Sequence, residues 1–380
     1  MILVVGAGIF GVTAALELRR RGAEVTLVDT GQVPNPLAES TDISKAVRMD
    51  YGADEDYCAQ MERALAQWRD SRFFHSTGVL YLSRGPMRPG GFEHDSFQML
   101  TRRGHPVERL GPAQIQARFP AWNSELFVDG YFNPEGGWAE SGQVVAELAA
   151  KARAAGVRLL EGTRVERLLT HGTRVVGAAS ASSRIEADEV VVTSGAWTTQ
   201  LVPKLSGCFK STGQPVFHLR PHHPSRFAAA RFPTFGADIA TTGYYGFPLH
   251  PSGLVKIAHH GPGREVAAGA SPEVPEFQEQ ALRSFLSEAF PELATANIDA
   301  RRTCVYCDTR DEHFWIARDP EAQGLTVAAG GSGHAFKFAP LLGGWIADAV
   351  EGVPNPDLQK FRWRPEIAPA RGEEAARMHR

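Results

Sequence analysis

A glycine-rich turn near the start of the chain constrains its fold more than any other feature. Gly6, Gly8 and Gly11 are spaced as G-x-G-x-x-G between a strand predicted over Ile2–Val5 and a helix predicted over Phe10–Arg21. The glycines allow a tight turn, close approach of the backbone to a pyrophosphate and close packing of helix on strand. The helix N-terminus favours the phosphate charge. The pattern predicts a Rossmann-like βαβ unit that binds a dinucleotide.

An acidic residue stands where such a unit binds ribose. Asp29 closes the second predicted strand, Glu24–Asp29, and its carboxylate would accept hydrogen bonds from the ribose hydroxyls of an adenosine. Ile9 and Phe10 lie between the second and third glycines and belong to the predicted cofactor site. The motif alone does not distinguish NAD from FAD.

Composition argues against several classes of partner. The 380 residues carry a formal net charge of −3, so no basic excess is present to neutralise a nucleic acid or an anionic membrane. The longest uncharged stretch, residues 1–16, is shorter than the roughly 18 residues that suggest a membrane span, and it lacks the basic start of a signal peptide. Because the final Met-His-Arg is not a peroxisomal address, we expect a cytoplasmic protein.

Hydrophobic periodicity places further elements along the chain. It predicts helices over residues 54–70, 92–103, 141–155, 275–290 and about 335–350. Strand patterns occur at residues 78–83, 127–132, 157–161, 164–169, 175–179, 190–193, 303–306 and 325–328, and residues 214–260 are rich in strands. The chain therefore leaves and re-enters its sheets, which indicates discontinuous domains.

Three separated segments carry a family resemblance. They are residues 4–29 (VVGAGIFGVTAALELRRRGAEVTLVD), 193–198 (TSGAWT) and 330–340 (GGSGHAFKFAP). Together they resemble the FAD-dependent amine and amino acid oxidases of the D-amino acid oxidase superfamily. The chain is most similar to the branch that holds monomeric sarcosine, N-methyltryptophan, pipecolate and fructosyl amino acid oxidases. The likeness runs from residue 1 to about residue 350 and implies FAD as the cofactor.

The resemblance also implies a fold. It is an α/β fold in which a Rossmann-like FAD-binding domain is interleaved with an α+β substrate domain built on a mixed, largely antiparallel sheet. We expect the FAD-binding domain to comprise residues 1–48, 141–207 and 301–365, and the substrate domain to comprise residues 49–140 and 208–300. The Arg-, Glu- and Ala-rich end, residues 366–380, is expected to be a flexible tail.

Cys304 stands where sarcosine oxidases attach FAD through a cysteine thioether, in a segment, residues 304–314 (CVYCDTRDEHF), that resembles theirs. Four cysteines do not form a disulfide framework in a chain of this size, which leaves free thiols, a metal pair or an attachment site. Arg301 and Arg302 lie close in sequence and would favour a thiolate. Cys307 completes a C-x-x-C pair, but residues three apart on a strand point to opposite faces and no second pair completes a zinc site. We expect covalent FAD on Cys304; the alternative is an inert core thiol.

A cationic clamp for a substrate carboxylate is a second implication of the resemblance. The family has two cations at i and i+3 before a Tyr-Gly pair, and here Lys45 and Arg48 precede Tyr51. Arg48 is the predicted carboxylate ligand because a guanidinium pairs bidentately with that group. Lys45 is a predicted cofactor contact where sarcosine oxidases have arginine, and the run from Asp42 to Lys45 is more similar to fructosyl amino acid oxidases. The alternative is that both cations are solvated charges on a loop.

The late glycine turn supplies the other clamp residue. By resemblance, Lys337 contacts both substrate and cofactor, and His334 lies beside flavin and substrate. Gly331 and Gly333 lead into the predicted helix, whose N–H groups would suit an anionic flavin. Val165 completes the predicted cofactor set.

Two predicted strands, residues 244–248 and 254–260, are expected to pair over the flavin. Lys256 stands where the family has an oxygen-activating lysine, and an ammonium there would stabilise developing superoxide. Tyr245, Tyr306 and His260 match the remaining pocket residues of sarcosine oxidase. Fructosyl amino acid oxidases have an acid in the place of His260, so this position and Lys45 point to different substrates.

A histidine cluster, His218, His222 and His223, could hold a metal in principle. No carboxylate or cysteine is spaced to complete such a site, and a proline interrupts the run. We therefore expect no metal.

The expected function is oxidation of the C–N bond of a secondary amine amino acid, sarcosine-like, N-alkyl or cyclic, to an imine, with O2 reduced to hydrogen peroxide. The expected partners are a small-molecule substrate and O2, with the protein acting as a monomer. A fructosyl amino acid oxidase or a biosynthetic amino acid oxidase would use the same residues. A flavin dehydrogenase is a rival against which Lys256 argues, and a non-enzymatic FAD-binding subunit would leave Arg48 and Lys337 without a purpose.

Overall fold

The structure is a computed structural model that describes residues 1–367 and 374–379. Its helices, numbered in chain order, are α1 (Ile9–Arg20), α2 (Glu55–Trp68), α3 (Phe92–Arg102), α4 (Pro112–Arg118), α5 (Ser141–Ala154), α6 (Thr198–Leu201), α7 (Ile239–Thr242), α8 (Glu276–Ala289) and α9 (Ala339–Glu351). None of these described helices is long and apolar enough to cross a membrane.

The strands are numbered in the same way. They are β1 (Ile2–Val5), β2 (Val25–Val28), β3 (Lys45–Val47), β4 (Phe74–His75), β5 (Val79–Ser83), β6 (Glu108–Leu110), β7 (Asp129–Asn133), β8 (Gly137–Ala139), β9 (Arg158–Leu160), β10 (Arg167–His171), β11 (Arg174–Ala179), β12 (Arg184–Glu186), β13 (Glu189–Val192), β14 (Phe209–Arg220), β15 (Thr234–Ala237), β16 (Tyr244–Gly246), β17 (Val255–His259), β18 (Arg264–Glu265), β19 (Asn297–Thr309), β20 (Trp315–Arg318) and β21 (Leu325–Ala329).

A six-stranded sheet with the order β20-β21-β13-β1-β2-β9 carries the glycine-rich turn. All of its pairs are parallel except β20 with β21. Val25–Val28 are buried throughout, as expected of a strand covered on both faces. α1 packs against both α5 and α9. The predicted βαβ opening and its Rossmann-like sheet are confirmed.

The second large sheet has the order β18-β14-β17-β16-β15-β5-β7-β6, and β19 pairs along β14. Only β5 with β15 is a parallel pair, so the predicted mixed, largely antiparallel sheet is confirmed. Aromatic rings fill its core, with Trp122 packed edge-on against Phe235 and Phe290. The predicted pairing of the strands around Tyr245 and Lys256 is present as β16 with β17.

β19 crosses the expected domain boundary at residue 301. It pairs antiparallel with β14 from Asn297 to Thr309, and Cys304 lies opposite Gln214. Because this ladder continues past residue 301, Cys304 belongs to the sheet of the expected substrate domain and not to the six-stranded sheet.

The helix expected from about Ala335 begins later. Phe336–Phe338 form a 3-10 turn, and α9 starts at Ala339 with Pro340 in its first turn. Proline lacks an N–H and fits only the first helical turn, so it fixes this start. The glycine turn therefore leads into a 3-10 turn and is not itself the N-terminus of α9.

Residues 374–379, near the end of the chain, include buried side chains. Glu374 and Arg377 are 2% and 1% exposed. Arg377 pairs with Asp308 at 2.8 Å and with Glu312 at 3.1 Å. The expectation of a flexible tail over residues 366–380 does not hold for residues 374–379, because these buried ion pairs anchor them. Residues 368–373 and 380 lie outside the described residues.

Candidate active site

A cavity of about 460 Å³ opens at the carboxyl ends of β1, β2, β13 and β21. The edge formed by these strand ends is where open α/β sheets bind ligands. Asp29 fixes the glycine-rich turn by accepting hydrogen bonds from the N–H groups of Ala7 (2.8 Å) and Gly31 (3.0 Å). The predicted cofactor residues that line the cavity are Gly6, Gly8, Ile9, Phe10, Asp29, Lys45, Val165, Gly331 and Gly333.

The walls of this cavity fit a dinucleotide. Gly6 has φ +105°, and a Cβ there would lie 2.7 Å from the carbonyl oxygen of Thr193, so only glycine leaves the turn unstrained. A Cβ on Gly11 would lie 1.7 Å from the carbonyl oxygen of Gly6, which places Gly11 in the packing of α1 against β1 and not in the cavity wall. The Ser194 side chain lines the cavity, and its Oγ is buried with no partner among the described residues. That hydroxyl is available to a ligand.

The two cysteines of the C-x-x-C pair lie on opposite faces of β19, as predicted. Cys307 lines the cavity, and Cys304 instead packs with Val216, Ala258 and Tyr306. Burial raises the pKa of the Cys304 thiol, Arg302 and Lys45 oppose this, and Glu39 and Asp42 add to it, so the pKa is raised overall. Cys304, the thiol in the family position, therefore has cations near it, whereas Cys307 is the thiol that lines the cavity.

Arg301 does not assist the Cys304 thiol. Its guanidinium pairs with Glu279 on the protein surface. Adjacent residues of a strand point to opposite faces, so only Arg302 faces the interior with Cys304.

Arg48 is buried, as a carboxylate ligand should be, but it already has a carboxylate partner. Its Nη2 lies 3.3 Å from Oε1 of Glu374, and Nε2 of His260 lies 2.7 Å from Oε2 of the same side chain. The guanidinium also lies over the Tyr51 ring, 4.9 Å from its centroid. The alternative of solvated loop charges is wrong for Arg48, because its side chain is 7% exposed.

Lys337 and His334 meet at the hydroxyl of Tyr51. Nζ of Lys337 donates to that hydroxyl (2.9 Å) and to the carbonyl oxygen of His334 (2.8 Å), and burial together with Arg48 lowers the pKa of Lys337 well below its usual range. His334 Nδ1 lies 3.0 Å from the hydroxyl, and Nε2 lies 3.0 Å from the carbonyl oxygen of Glu312. Because a carbonyl only accepts, Nε2 carries the proton and Nδ1 accepts from Tyr51. Burial lowers the pKa of His334 well below its usual range, so the ring is neutral.

Lys256 lies apart from this cluster, in a second buried set of charges. Its Nζ lies 2.8 Å from Oδ2 of Asp42 and 2.6 Å from the carbonyl oxygen of Ser44, and it sits over the Phe247 ring. His218, the first histidine of the cluster considered for metal binding, contacts Oδ1 of Asp42 through Nε2 at 2.9 Å. Among the described residues, no three His, Cys, Asp or Glu side chains are arranged to hold a metal ion.

Three aromatic side chains of the predicted pocket lie close together. The ring centroids of Tyr245 and His260 are 6.3 Å apart, and those of His260 and Tyr306 are 5.8 Å apart. Tyr245 also packs against Val216 and Ala258 of the Cys304 cluster. The predicted residues Tyr245, His260 and Tyr306 are thus brought together, whereas Lys337 and Cys304 do not line the dinucleotide cavity.

Sequence reasoning missed Glu374 and Arg377. Both lie in the segment expected to be flexible, and no periodicity or motif marks them. Their partners Arg48 and Asp308 are 326 and 69 residues away. It also missed Glu39, which lines the cavity and whose pKa burial raises to about 7 against the opposing charge of Lys45.

Comparison with known proteins identifies the family. The model of the family described as FAD dependent oxidoreductase (DAO) matches residues 1–349. The chain belongs to this family. It is an FAD-dependent oxidoreductase, and the family resemblance found in its glycine motifs is confirmed.

Relatives of this oxidoreductase include monomeric sarcosine oxidase from Bacillus sp. (strain B-0618), 27% identical over 376 residues that cover 95% of this chain and 94% of the relative. N-methyl-L-tryptophan oxidase from Yersinia pestis (strain Pestoides F) is 27% identical over 375 residues, covering 95% and 97%. The crystal structure of the fructosamine oxidase Amadoriase II from Aspergillus fumigatus aligns with a TM-score of 0.86 at 25% identity, covering 100% of this chain and 93% of that one.

Proposed function

We propose that this FAD-dependent oxidoreductase oxidises the C–N bond of a secondary amine amino acid to an imine and passes the electrons to O2, forming hydrogen peroxide. One observation carries the proposal: Arg48 and His260 hold the Glu374 carboxylate in the interior of the protein, with Lys337 and His334 beside it. A buried guanidinium that holds a side-chain carboxylate has the chemistry needed to bind the carboxylate of an amino acid. The names of the related monomeric sarcosine oxidase and N-methyl-L-tryptophan oxidase agree with this substrate class.

The predicted residues form a cofactor site and a substrate site. Gly6, Gly8, Asp29 and Lys45 would hold FAD, which when bound accepts a hydride equivalent from the substrate and delivers electrons to oxygen. Arg48 would orient the substrate through its carboxylate. His334 is neutral, so its ring does not repel a substrate ammonium. The apolar walls formed by the aromatic residues favour the neutral amine, the form that can be oxidised.

The proposal includes the division into domains and the oligomeric state. We propose discontinuous FAD-binding and substrate domains, each built on one of the two large sheets, with β19 assigned to the substrate domain. A cytoplasmic monomer is the form in which we expect the enzyme to act, and the name of monomeric sarcosine oxidase agrees with the monomeric state.

A substrate panel tests the proposal directly. Anaerobic mixing with sarcosine, N-alkyl and cyclic amino acids should bleach the flavin absorbance, while the amides of the same compounds should not bleach it at equal concentration. The reason is that the amide removes the charge that Arg48 binds. Equal bleaching by an amino acid and its amide would contradict the proposal, and bleaching by none of the panel would favour a non-enzymatic FAD-binding protein.

A fructosyl amino acid oxidase is the second candidate, and a specific observation favours it. Lys45 lines the cofactor cavity where sarcosine oxidases have arginine, and the fructosamine oxidase shares the whole fold. The residue at position 260 argues against a sugar substrate. Fructosyl amino acid oxidases have an acid in this place, whereas this chain has an imidazole that pairs with Glu374. Including an N-fructosyl amino acid in the panel decides between the two substrates.

We further propose that Cys304 carries FAD covalently. Arg302 and Lys45 favour the thiolate that a thioether requires, although burial, Glu39 and Asp42 raise the pKa of this thiol overall. The charged neighbours that act on Cys307 are the carboxylates Glu39 and Asp308, which raise its pKa. Acid-precipitated enzyme should stay yellow, Cys304→Ala should release its flavin on precipitation, and the matched variant Cys307→Ala should not. Release from Cys307→Ala alone would assign the bond to the cysteine that lines the cavity.

A further inference from the structure

Asp42 is a buried carboxylate that a lysine, an arginine and a histidine face. Its Oδ2 lies 2.8 Å from Nζ of Lys256 and 3.6 Å from Nη2 of Arg302, and its Oδ1 lies 2.9 Å from Nε2 of His218. The side chains of Asp42 and Lys256 are each 2% exposed. Water therefore does not screen the attraction between them, and the pair is stronger than a surface ion pair.

The loop that carries Asp42 is held in place from the other side. The N–H group of Asp42 donates to Oγ of Ser141 at 3.0 Å, and that hydroxyl donates back to the carbonyl oxygen of Asp42 at 2.9 Å. Two residues further on, the carbonyl oxygen of Ser44 accepts from the Lys256 ammonium. The Lys256 ammonium is thus held by two oxygens of this loop, Oδ2 of Asp42 and the carbonyl oxygen of Ser44. Lys256 itself lies on β17, in the large mixed sheet.

We propose that Asp42 is a positioning residue, which holds the Lys256 ammonium and keeps it charged inside a pocket whose burial opposes that charge. The inference rests on the proposed function, in which the charge of Lys256 stabilises the negative charge that develops on oxygen. It assigns to Asp42 no contact with substrate.

The balance of charges supports this role. The pKa of Lys256 is lowered to about 8, because burial, Lys45 and Arg302 lower it by more than Asp42 raises it. Asp42 itself stays ionised: burial raises its pKa, but Lys256, His218 and Arg302 bring it well below the usual range. The other ionisable groups that interact with Asp42 are Tyr245, His250 and Cys304. Asp42 is the carboxylate that favours the charged form of Lys256, so without it the ammonium would lose its proton near neutral pH.

The ionisation of Lys256 can be measured without turnover. In holoenzyme labelled with 13C at the lysine Cε, the Lys256 signal is identified by its loss in Lys256→Met. We expect its titration midpoint near pH 8. In Asp42→Asn the midpoint should fall by about 1 to 3 pH units, and Asp42→Glu should restore most of the loss. Asp129→Asn is the matched control, because it neutralises another buried aspartate, which pairs with Arg109. This control should leave the midpoint unchanged.

Reoxidation of the flavin gives the second measurement. A fall of about 2 pH units in the midpoint would lower the protonated fraction of Lys256 at pH 7 about tenfold, and the reoxidation rate with it. Since the ammonium returns as pH falls, the rate of Asp42→Asn should recover toward pH 5. Flavin reduction by substrate should not show this pH dependence.

The outcomes separate the inference from the function on which it rests. An unchanged Lys256 midpoint in Asp42→Asn overturns the inference whatever the reoxidation rate. A lowered midpoint together with normal reoxidation in Lys256→Met supports the role of Asp42 and overturns the oxygen role of Lys256. If Asp42→Asn does not fold, the double variant Asp42→Asn/Lys256→Met should regain thermal stability, because no unpaired ammonium remains buried. No gain in the double variant would count against the inference.

Discussion

Replacing Lys256 with methionine is expected to slow reoxidation of the reduced flavin by oxygen about 10²- to 10³-fold, the usual cost of removing one preorganised charge or donor from an active site. Methionine keeps the apolar stem that packs near the Phe247 ring, 5.0 Å from the ammonium, and removes only the charge. Because Lys256 is 2% exposed, solvent cannot replace that charge.

Stopped-flow absorbance separates this effect from the amine reaction. Anaerobic reduction by substrate should slow only modestly in Lys256→Met, and turnover with an artificial electron acceptor should persist. Lys360→Met is a suitable control, since it removes another partly buried lysine, which pairs with Asp54 at 2.8 Å. Equal reoxidation rates in the variant and the wild type would give Lys256 a purely structural role and would favour the flavin dehydrogenase alternative.

The sequence predicts the cofactor half of the molecule well because its signals are local. The turn at Gly6, Gly8 and Gly11 and the acid at Asp29 lie within a single βαβ unit, and each residue type is dictated by the conformation or packing of that unit. The alternation of a strand likewise predicts that Cys304 and Cys307 face opposite sides. Which side lines the cavity depends on how the sheets pack, and periodicity carries no information about that.

The charged partners of the candidate site could not be predicted for a different reason. Glu374 reaches Arg48 across 326 residues of chain, and Asp42, in the loop before β3, contacts Lys256 of β17. Buried ion pairs between distant residues leave no pattern in a sequence, because each residue alone reads as a solvated charge. The same reasoning led to the expectation of a flexible tail, although residues 374–379 have Arg377 as a buried anchor.

Arg48→Met and Glu374→Gln are expected to change substrate affinity in opposite directions. Loss of the guanidinium removes a charge-assisted hydrogen bond of about 1.5 to 3 kcal/mol, so the dissociation constant of an amino acid substrate should rise roughly 10- to 150-fold. The Glu374 carboxylate occupies the same guanidinium, at 3.3 Å, and a substrate carboxylate must displace it. Neutralising Glu374 removes this competition, so that variant should bind the substrate more tightly.

The competition between Glu374 and the substrate depends on the ionisation of Glu374, and so on pH. Burial favours protonation of Glu374, but Arg48 and His260 outweigh it and bring the pKa of this carboxyl well below its usual range. A group with a lowered pKa stays ionised until the pH falls below that value, so the competition between Glu374 and the substrate carboxylate should persist at pH 5 as well as at pH 8.

The concentration dependence of anaerobic flavin reduction gives the dissociation constant separately from the limiting rate, and thermal unfolding checks that each variant is folded. Decarboxylated amines provide the control, because their binding should be insensitive to Arg48→Met. If folded Glu374→Gln bound amino acids more weakly than the wild type, Glu374 would be a substrate ligand and not a competitor, and Arg48 would serve to orient it.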